Sequence, residues 1–266
     1  MSENTLKFRI LGCGSSGGVP RIGDNWGECD PKNSKNRRTR CSLLISRGET
    51  NVLIDTSPDM REQLLAARVG TLDAVLFTHD HADQTHGIDD LRVVVANNRK
   101  RIQAFLDPQT ESTMRRRFGY CFETPPGSEY PPILDRRALE PFVPVRINGL
   151  GGEITALPFP QTHGKVQSLG FRIGTMAYSS DVSALSDEAF DALKGLDCWI
   201  LDALRYAPHP THAHVARALE WIARAAPKRA ILTNLHVDLD YETLRRELPD
   251  GVEPAYDGMT IELAVP

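Results

Sequence analysis

His79, His81 and Asp83 fall within five residues in Thr78-His-Asp-His-Ala-Asp-Gln84-Thr-His86, directly after the apolar run 74–77. Imidazole nitrogen and carboxylate oxygen together suit zinc and other borderline divalent metals. Alternate residues of an extended segment share a face, so His79 and His81 can approach one ion while the following turn aims Asp83 at a neighbouring one. The chemistry this implies is hydrolysis by a metal-bound hydroxide. Three further candidates stand alone downstream: His163 in Phe-Pro-Gln-Thr-His-Gly, Asp181 in Ala-Tyr-Ser-Ser-Asp, and His236 in Leu-Thr-Asn-Leu-His. Taken singly, each reads equally well as a turn residue. Each also comes after a short apolar or β-branched run, and residues at strand ends collect on one rim of a packed sheet.

The elements that must position them alternate along the chain. Strand patterns lie at 6–11, 42–46, 51–54, 73–77 and 102–106, with helical patterns at 60–69 and 108–118. The second half repeats the mix, with strands at 154–159, 170–178, 198–201, 229–233 and 259–264 and helices at 186–194, 212–225 and 241–248. The stretch 120–137, rich in Pro, Gly and Glu, reads as a surface insertion within a single domain spanning 1–266. Candidate ligands on both sides of it argue against a linker.

Composition sets the class. At 266 residues, 41% hydrophobic and 25% charged, the chain has what a sizeable globular core needs. A net charge of -4 argues against bulk nucleic-acid binding. No apolar stretch approaches a membrane span, and residues 1–7 lack a signal-like apolar segment, so a cytoplasmic location without membrane partners is expected. Five cysteines without a Cys-x-x-Cys fit reduced thiols. Gly12-Cys-Gly14-Ser-Ser-Gly17 matches a dinucleotide fingerprint, yet that fingerprint needs a helix next. The residues in that position, Gly18-Val-Pro20-Arg-Ile-Gly23, cannot propagate one. The loop is a tight turn whose backbone amides could approach a phosphate.

The order His-x-His-x-Asp, His, Asp, His resembles the metallo-β-lactamase superfamily. Leu-Gly-Cys-Gly-Ser-Ser-Gly-Gly-Val-Pro-Arg at 11–21, Lys-Asn-Arg-Arg-Thr-Arg at 35–40, Ile-Asp-Thr-Ser-Pro-Asp at 54–59, His-Gly-Ile-Asp-Asp-Leu-Arg at 86–92 and Asp-Ala-Leu-Arg-Tyr at 202–206 narrow it. They resemble the branch that includes the phosphoribosyl cyclic phosphate phosphodiesterase of carbon-phosphorus lyase pathways. The resemblance implies an α/β, four-layer αββα sandwich with two divalent ions, zinc or manganese, at one edge of its sheets. It makes His79, His81 and His163 ligands of one ion, Asp83 and His236 ligands of the other, and Asp181 the bridge.

Gln84 departs from the pattern, which usually has histidine there. Either Gln84 is a weaker second-ion donor or His86 replaces it. The stretch Glu28-Cys29-Asp30-Pro31 lacks the cysteines of the structural zinc knuckle many relatives carry, so no structural zinc is expected. His212, after the cap-like Thr211 at the expected helix start, is the candidate proton donor, with Asp83 the second catalytic residue. Arg205 and His209 are candidate phosphate contacts. Asp55 and Asp59 are expected to orient a ligand histidine from behind.

The leading expectation is a phosphodiesterase acting on a small diester, cyclic or nucleotide-like. Two alternatives stand beside it: RNA 3'-end processing, and a noncatalytic metal-binding protein similar to the superfamily member of pyrroloquinoline quinone biosynthesis. A homodimer is compatible with the resemblance.

Overall fold

The strands of this chain bury both faces, and that decides the architecture. In the segment 43–45, Leu43 and Ile45 point into one core while Leu44 points into another. Ala74 and Leu76 alternate with Val75 and Phe77 in the same way. A strand apolar on both sides must be covered on both sides. The computed structural model, which describes residues 5–265, shows how.

In the first half, strands β1 (Thr5–Gly12), β2 (Ser42–Arg47), β3 (Thr50–Ile54), β4 (Ala74–Leu76), β5 (Ile102–Leu106) and β6 (Leu134–Ala138) are joined through helices α1 (Met60–Ala67), α2 (Ala82–Thr85), α3 (Leu91–Asn98) and α4 (Pro108–Phe122). The second half runs β7 (Val145–Gly149), β8 (Gly152–His163), β9 (Val166–Ile173), β10 (Met176–Ser179), α5 (Asp187–Ala192), β11 (Cys198–Asp202), α6 (Val215–Ala225), β12 (Arg229–Thr233), α7 (Tyr241–Glu247), β13 (Val252–Pro254) and β14 (Thr260–Ala264). Two seven-stranded sheets result, ordered β14-β1-β2-β3-β4-β5-β6 and β13-β12-β11-β10-β9-β8-β7. Each is antiparallel at one end and parallel at the other, so the halves echo one another.

Phe8, Ile45, Ile54 and Leu76 of the first sheet meet Phe171, Tyr178, Ile200 and Ile231 of the second in the central core. Residues of α1, α3 and α4 cover the first sheet from outside, and those of α5, α6 and α7 cover the second. These are the four layers of an αββα sandwich. No helix among the described residues is long and apolar enough to cross a membrane.

Several boundaries differ from the sequence reading. The stretch 120–137 is not one loop: α4 continues to Phe122, and Leu134–Ala138 pairs in parallel with β5, leaving 123–133 as the connection. The run 170–178 is two strands, β9 and β10, turning at Gly174, whose φ of 59° is left-handed. Asp90 is the N-cap of α3, so Asp89 and Asp90 lead into that helix despite the β-branched run Val93–Val95 within it. After Gly12 the next regular element is a single 3-10 turn at Ser34–Asn36, so no α-helix follows the glycine loop directly.

Candidate metal centre

The parallel strands of both sheets end on the same edge, and the residues just beyond those ends make the site, as open α/β sheets generally arrange. Beyond β4 come Thr78 and His79; β8 ends on His163; β10 leads to Asp181, β11 ends on Asp202, and β12 leads to Asn234 and His236. A backbone bond from Leu169 N to Thr78 O (2.9 Å) ties the two sheets together there. Asp55, Asp181 and Asn234 all take left-handed backbone angles, a conformation Asp and Asn tolerate better than other residues with a Cβ. Short α2 folds back onto 55–57, with Thr56 N bonding Gln84 O (2.8 Å). Gly87 makes that approach possible, since a Cβ there would lie 2.0 Å from Ser57 O.

His79, His81 and His163 converge, their rings 4.5 to 5.2 Å apart and one ligand atom of each within 4.8 Å of the others. Asp181 stands beside them, Oδ2 3.8 Å from His79 Nε2. The wall behind fixes the tautomers. Asp55 accepts from Thr78 N and Thr78 Oγ1 (both 2.8 Å), so that hydroxyl accepts in turn from His79 Nδ1–H at 3.0 Å. His163 Nδ1–H donates to the Thr211 carbonyl at 2.7 Å. In both rings the Nε2 lone pair is thus left for an ion. Buried His79 Nε2 has no hydrogen-bond partner, and burial lowers its pKa from 6.5 to about 3, so it stays a neutral donor. An orphaned buried nitrogen among two more imidazoles and a carboxylate is a donor set that fits a divalent metal.

The other side is arranged differently. Burial pushes the Asp83 carboxyl up to about 6, and neighbouring Asp181 adds to the shift. Burial works the same way on Asp181, but His79, His212 and His163 hold its carboxyl below the usual range. Gln84, fully buried, donates Nε2 to Asp181 Oδ2 and to Asp83 Oδ2 (3.3 Å), while its Oε1 is unpartnered. His236 Nδ1 faces Asp238 Oδ1 at 3.0 Å, and its Nε2 is met by the Arg21 guanidinium. The carbonyl of Asn234 precedes this turn, and its Nδ2 donates to Asp181 Oδ1 (2.8 Å).

His81, Asp83, His163, Asp181, Asn234 and His236 open onto one cavity of about 380 Å³, whose walls also include Ser15, Ser16, Arg21, Arg205, His209 and His212. A larger groove of about 750 Å³, beside Lys7, Arg9 and Asp73, collects none of the ligand candidates, and the chemistry argues for the smaller one. His212 Nδ1 lies 2.8 Å from Asp202 Oδ2 and 3.4 Å from Asp181 Oδ1. Burial works against a charged ring, yet Asp202, Asp181 and Asp83 raise its pKa to about 9. His212 also groups spatially with His163 and Asp181, but its Nδ1 is turned to Asp202.

The structure corrects two expectations and places two further residues. His212 does not open a helix: α6 starts at Val215, because backbone bonds from Ala213 N to Val182 O (2.5 Å) and from Leu204 N to Ala213 O (2.9 Å) pull 211–213 across the site. His86 is exposed, its ring 5.5 Å from that of Phe118 and outside the cavity lining. The Asp59 carboxylate is engaged by Arg40 N and Nε (both 2.9 Å) rather than by a histidine. Asp55 stands behind His79 as expected, acting through Thr78. Arg205 and His209 do line the cavity; Arg205 is held by the carbonyls of Ala207 (3.1 Å) and Pro208 (2.9 Å).

Sequence reasoning missed Asp202, Asn234 and Arg21 as site residues. The signal for Asp202 was present: it comes after the buried apolar run Trp199–Leu201, as His79 comes after its own run.

Comparison with known proteins agrees with this geometry. Residues 50–234 match the beta-lactamase superfamily domain. A diphosphatase from the PhnP family is 31% identical, with 98% of each chain covered and a TM-score of 0.89. Zinc-bound PqqB from Methylobacterium extorquens (16% identical, 97% and 100% covered, TM-score 0.76) and the short form of human tRNase Z (15%, 98% and 99%, 0.65) share the fold. An octanoyltransferase of Porphyromonas gingivalis (strain ATCC BAA-308 / W83) is 33% identical over 260 residues, 96% of this chain and 51% of that protein. The chain thus spans about half the length of that curated relative. With the fold, the cluster of imidazoles and the match over 50–234 in agreement, the chain belongs to the beta-lactamase superfamily.

Proposed function

We propose that the chain hydrolyses a small phosphate diester, cyclic or nucleotide-like, at this cavity. His79, His81, His163 and Asp181 would hold one divalent ion, zinc or manganese, and Asp83, Asp181 and His236 a second. Such an ion, when bound, polarises a phosphoryl oxygen and acidifies water toward neutral pH.

The observation that carries the proposal is His212. Asp202 takes Nδ1, so Nε2 is the ring nitrogen left to give a proton, and a ring protonated below about pH 9 has one to give. A departing alkoxide needs that proton. Arg21, Arg205 and the His209 ring supply positive charge and donors at the cavity wall, where a phosphate would be oriented. His209 Nδ1 accepts from Thr211 N (3.3 Å), which leaves Nε2–H to point elsewhere.

Purified protein with manganese or zinc, offered model diesters, cyclic phosphates and nucleotide-linked diphosphates, should turn over at least one class and stop on chelation. The likeness to a diphosphatase is the reason for the anhydride arm. Absence of turnover with every metal would overturn the proposal. One specific observation favours a second reading, a noncatalytic metal carrier: Gln84 stands at the position where the resemblance implies a second imidazole, and its amide nitrogen is engaged by carboxylates. A single tightly held ion without turnover is the outcome that reading expects. RNA processing is disfavoured by the net charge of -4.

A further inference from the structure

Arg38 is a fully buried cation, 2% exposed, with no carboxylate in ion-pair contact among the described residues. A charge in that position is costly unless its hydrogen bonds are met. Both terminal nitrogens find partners, chiefly in the loop that carries His236, while Nε is left without one. Nη1 donates to His236 O (3.3 Å) and lies 3.8 Å from Cys29 Sγ; Nη2 donates to Leu239 O (2.7 Å) and Asn36 Oδ1 (3.1 Å). Its own backbone pairs with Val19 in both directions at 2.8 Å, just before Arg21.

The surrounding segment holds the same loop at its other polar groups. Val237 O accepts from Glu28 N (2.9 Å) and Cys29 Sγ (3.3 Å), and Cys29 Sγ also reaches Leu239 O (3.4 Å). Asn36 accepts from Tyr241 N (2.8 Å) and donates to Asp240 Oδ2 (2.7 Å). At Gly27, φ is +56° and a Cβ would lie 2.7 Å from Val237 O, so the two segments touch backbone to backbone.

The geometry points to Arg38 as a positioning residue of the metal centre: its planar guanidinium gathers the carbonyls of His236 and Leu239 and thereby sets His236 for the second ion. This rests on the two-ion reading of the site. The group acts through His236 and touches neither substrate nor ion. A planar fork suits the task where a lysine would not, because two carbonyls and an amide oxygen must be held at fixed angles.

The test uses the full chain with Arg38→Lys and Asn36→Ala, measuring zinc and manganese stoichiometry and affinity by dialysis alongside amide exchange of 235–241. For Arg38→Lys, second-ion affinity should fall by about 10- to 100-fold, the range seen when a ligand's supporting partner is lost, with the first ion unchanged. Exchange over 235–241 should speed up in both variants, and Asn36→Ala should show a smaller loss of the second ion. Should Arg38→Lys fail to fold, Asn36→Ala decides by itself. Faster exchange with both ions held as in wild type would make Arg38 merely structural and overturn the assignment, as would a wild type that takes one ion only. Wild type binding two ions without diesterase turnover would instead defeat the proposed function and leave this assignment standing.

Discussion

The two sides of the metal centre are built from similar donors but are satisfied in opposite ways. On the His79 side, Thr78 and the Thr211 carbonyl take the Nδ1 protons, and the inward nitrogen of His79 has no protein partner. On the Asp83 side, Gln84 bridges two carboxylates and Arg21 covers His236 Nε2. On the two-ion proposal, an ion at the first side would meet a lone pair with no competing hydrogen bond, whereas one at the second would have to displace an amide hydrogen bond and a guanidinium, which would oppose binding. What the ligands do before an ion arrives would then matter as much as their identity.

The sharpest way to break this comparison is to remove one ligand from each side. His79→Ala should lose the first ion, with affinity down by more than about 100-fold since even indirect partners of a ligand cost 10- to 100-fold, and activity should fall to background. His236→Ala should leave one ion in place. Equal loss from both variants, measured by metal content after dialysis, would show that the two sides are not distinct.

Next in size is the proton donor. His212→Ala should reduce kcat by about 10²- to 10⁴-fold on a diester with a poor leaving group, and far less on a p-nitrophenyl ester whose leaving group needs no proton. The role fixes the sign of the pH effect: an acid must be protonated, so the rate falls as pH rises through its pKa. Asp202 is among the groups that raise that pKa, so Asp202→Asn should move the basic limb of the kcat profile to lower pH. An unmoved limb would remove His212 from the role.

Third is Gln84→His, which replaces the carboxylate-spanning amide with an imidazole donor. Second-ion affinity should rise by about tenfold or more, read as resistance to a chelator, while the first ion is unaffected. No change in either would mean that residue 84 does not face the second ion.

How far the sequence reveals this site depends on how local the causes are. His79, His81, Asp83, His163, Asp181 and His236 are legible because each comes after an apolar strand, and strand ends gather on one edge whatever the loops do. Asp202 obeys the same rule and could have been read by it. Arg38 could not, since a run of basic residues looks like a solvated face until the fold shows Arg38 buried against carbonyls about 200 positions away, and nothing near Arg21 in the sequence marks it. The start of α6 was misjudged for the same reason: the bonds that hold 211–213 out of a helix come from Val182 and Leu204, and helix signals within the segment do not contain them. Two-sided burial of the strands, by contrast, is written in their unbroken apolar runs.

The smallest expected effect concerns His86, the alternative ligand. Its ring packs edge-on to Phe118 at 5.5 Å and is solvent-exposed, so His86→Ala removes one aromatic contact worth about 0.5–1.5 kcal/mol at most. The expected outcome is a slightly lower unfolding midpoint, with unchanged metal stoichiometry and a kcat within about twofold of wild type, smaller than the effect of losing a ligand or the acid. A variant that lost the second ion would mean that α2 rearranges to bring His86 inward, and the asymmetry between the two sides would then vanish on metal binding. Combining His86→Ala with Gln84→His separates the cases: additive, small changes keep His86 out of the centre, whereas rescue of the first substitution by the second would place both on the same ion.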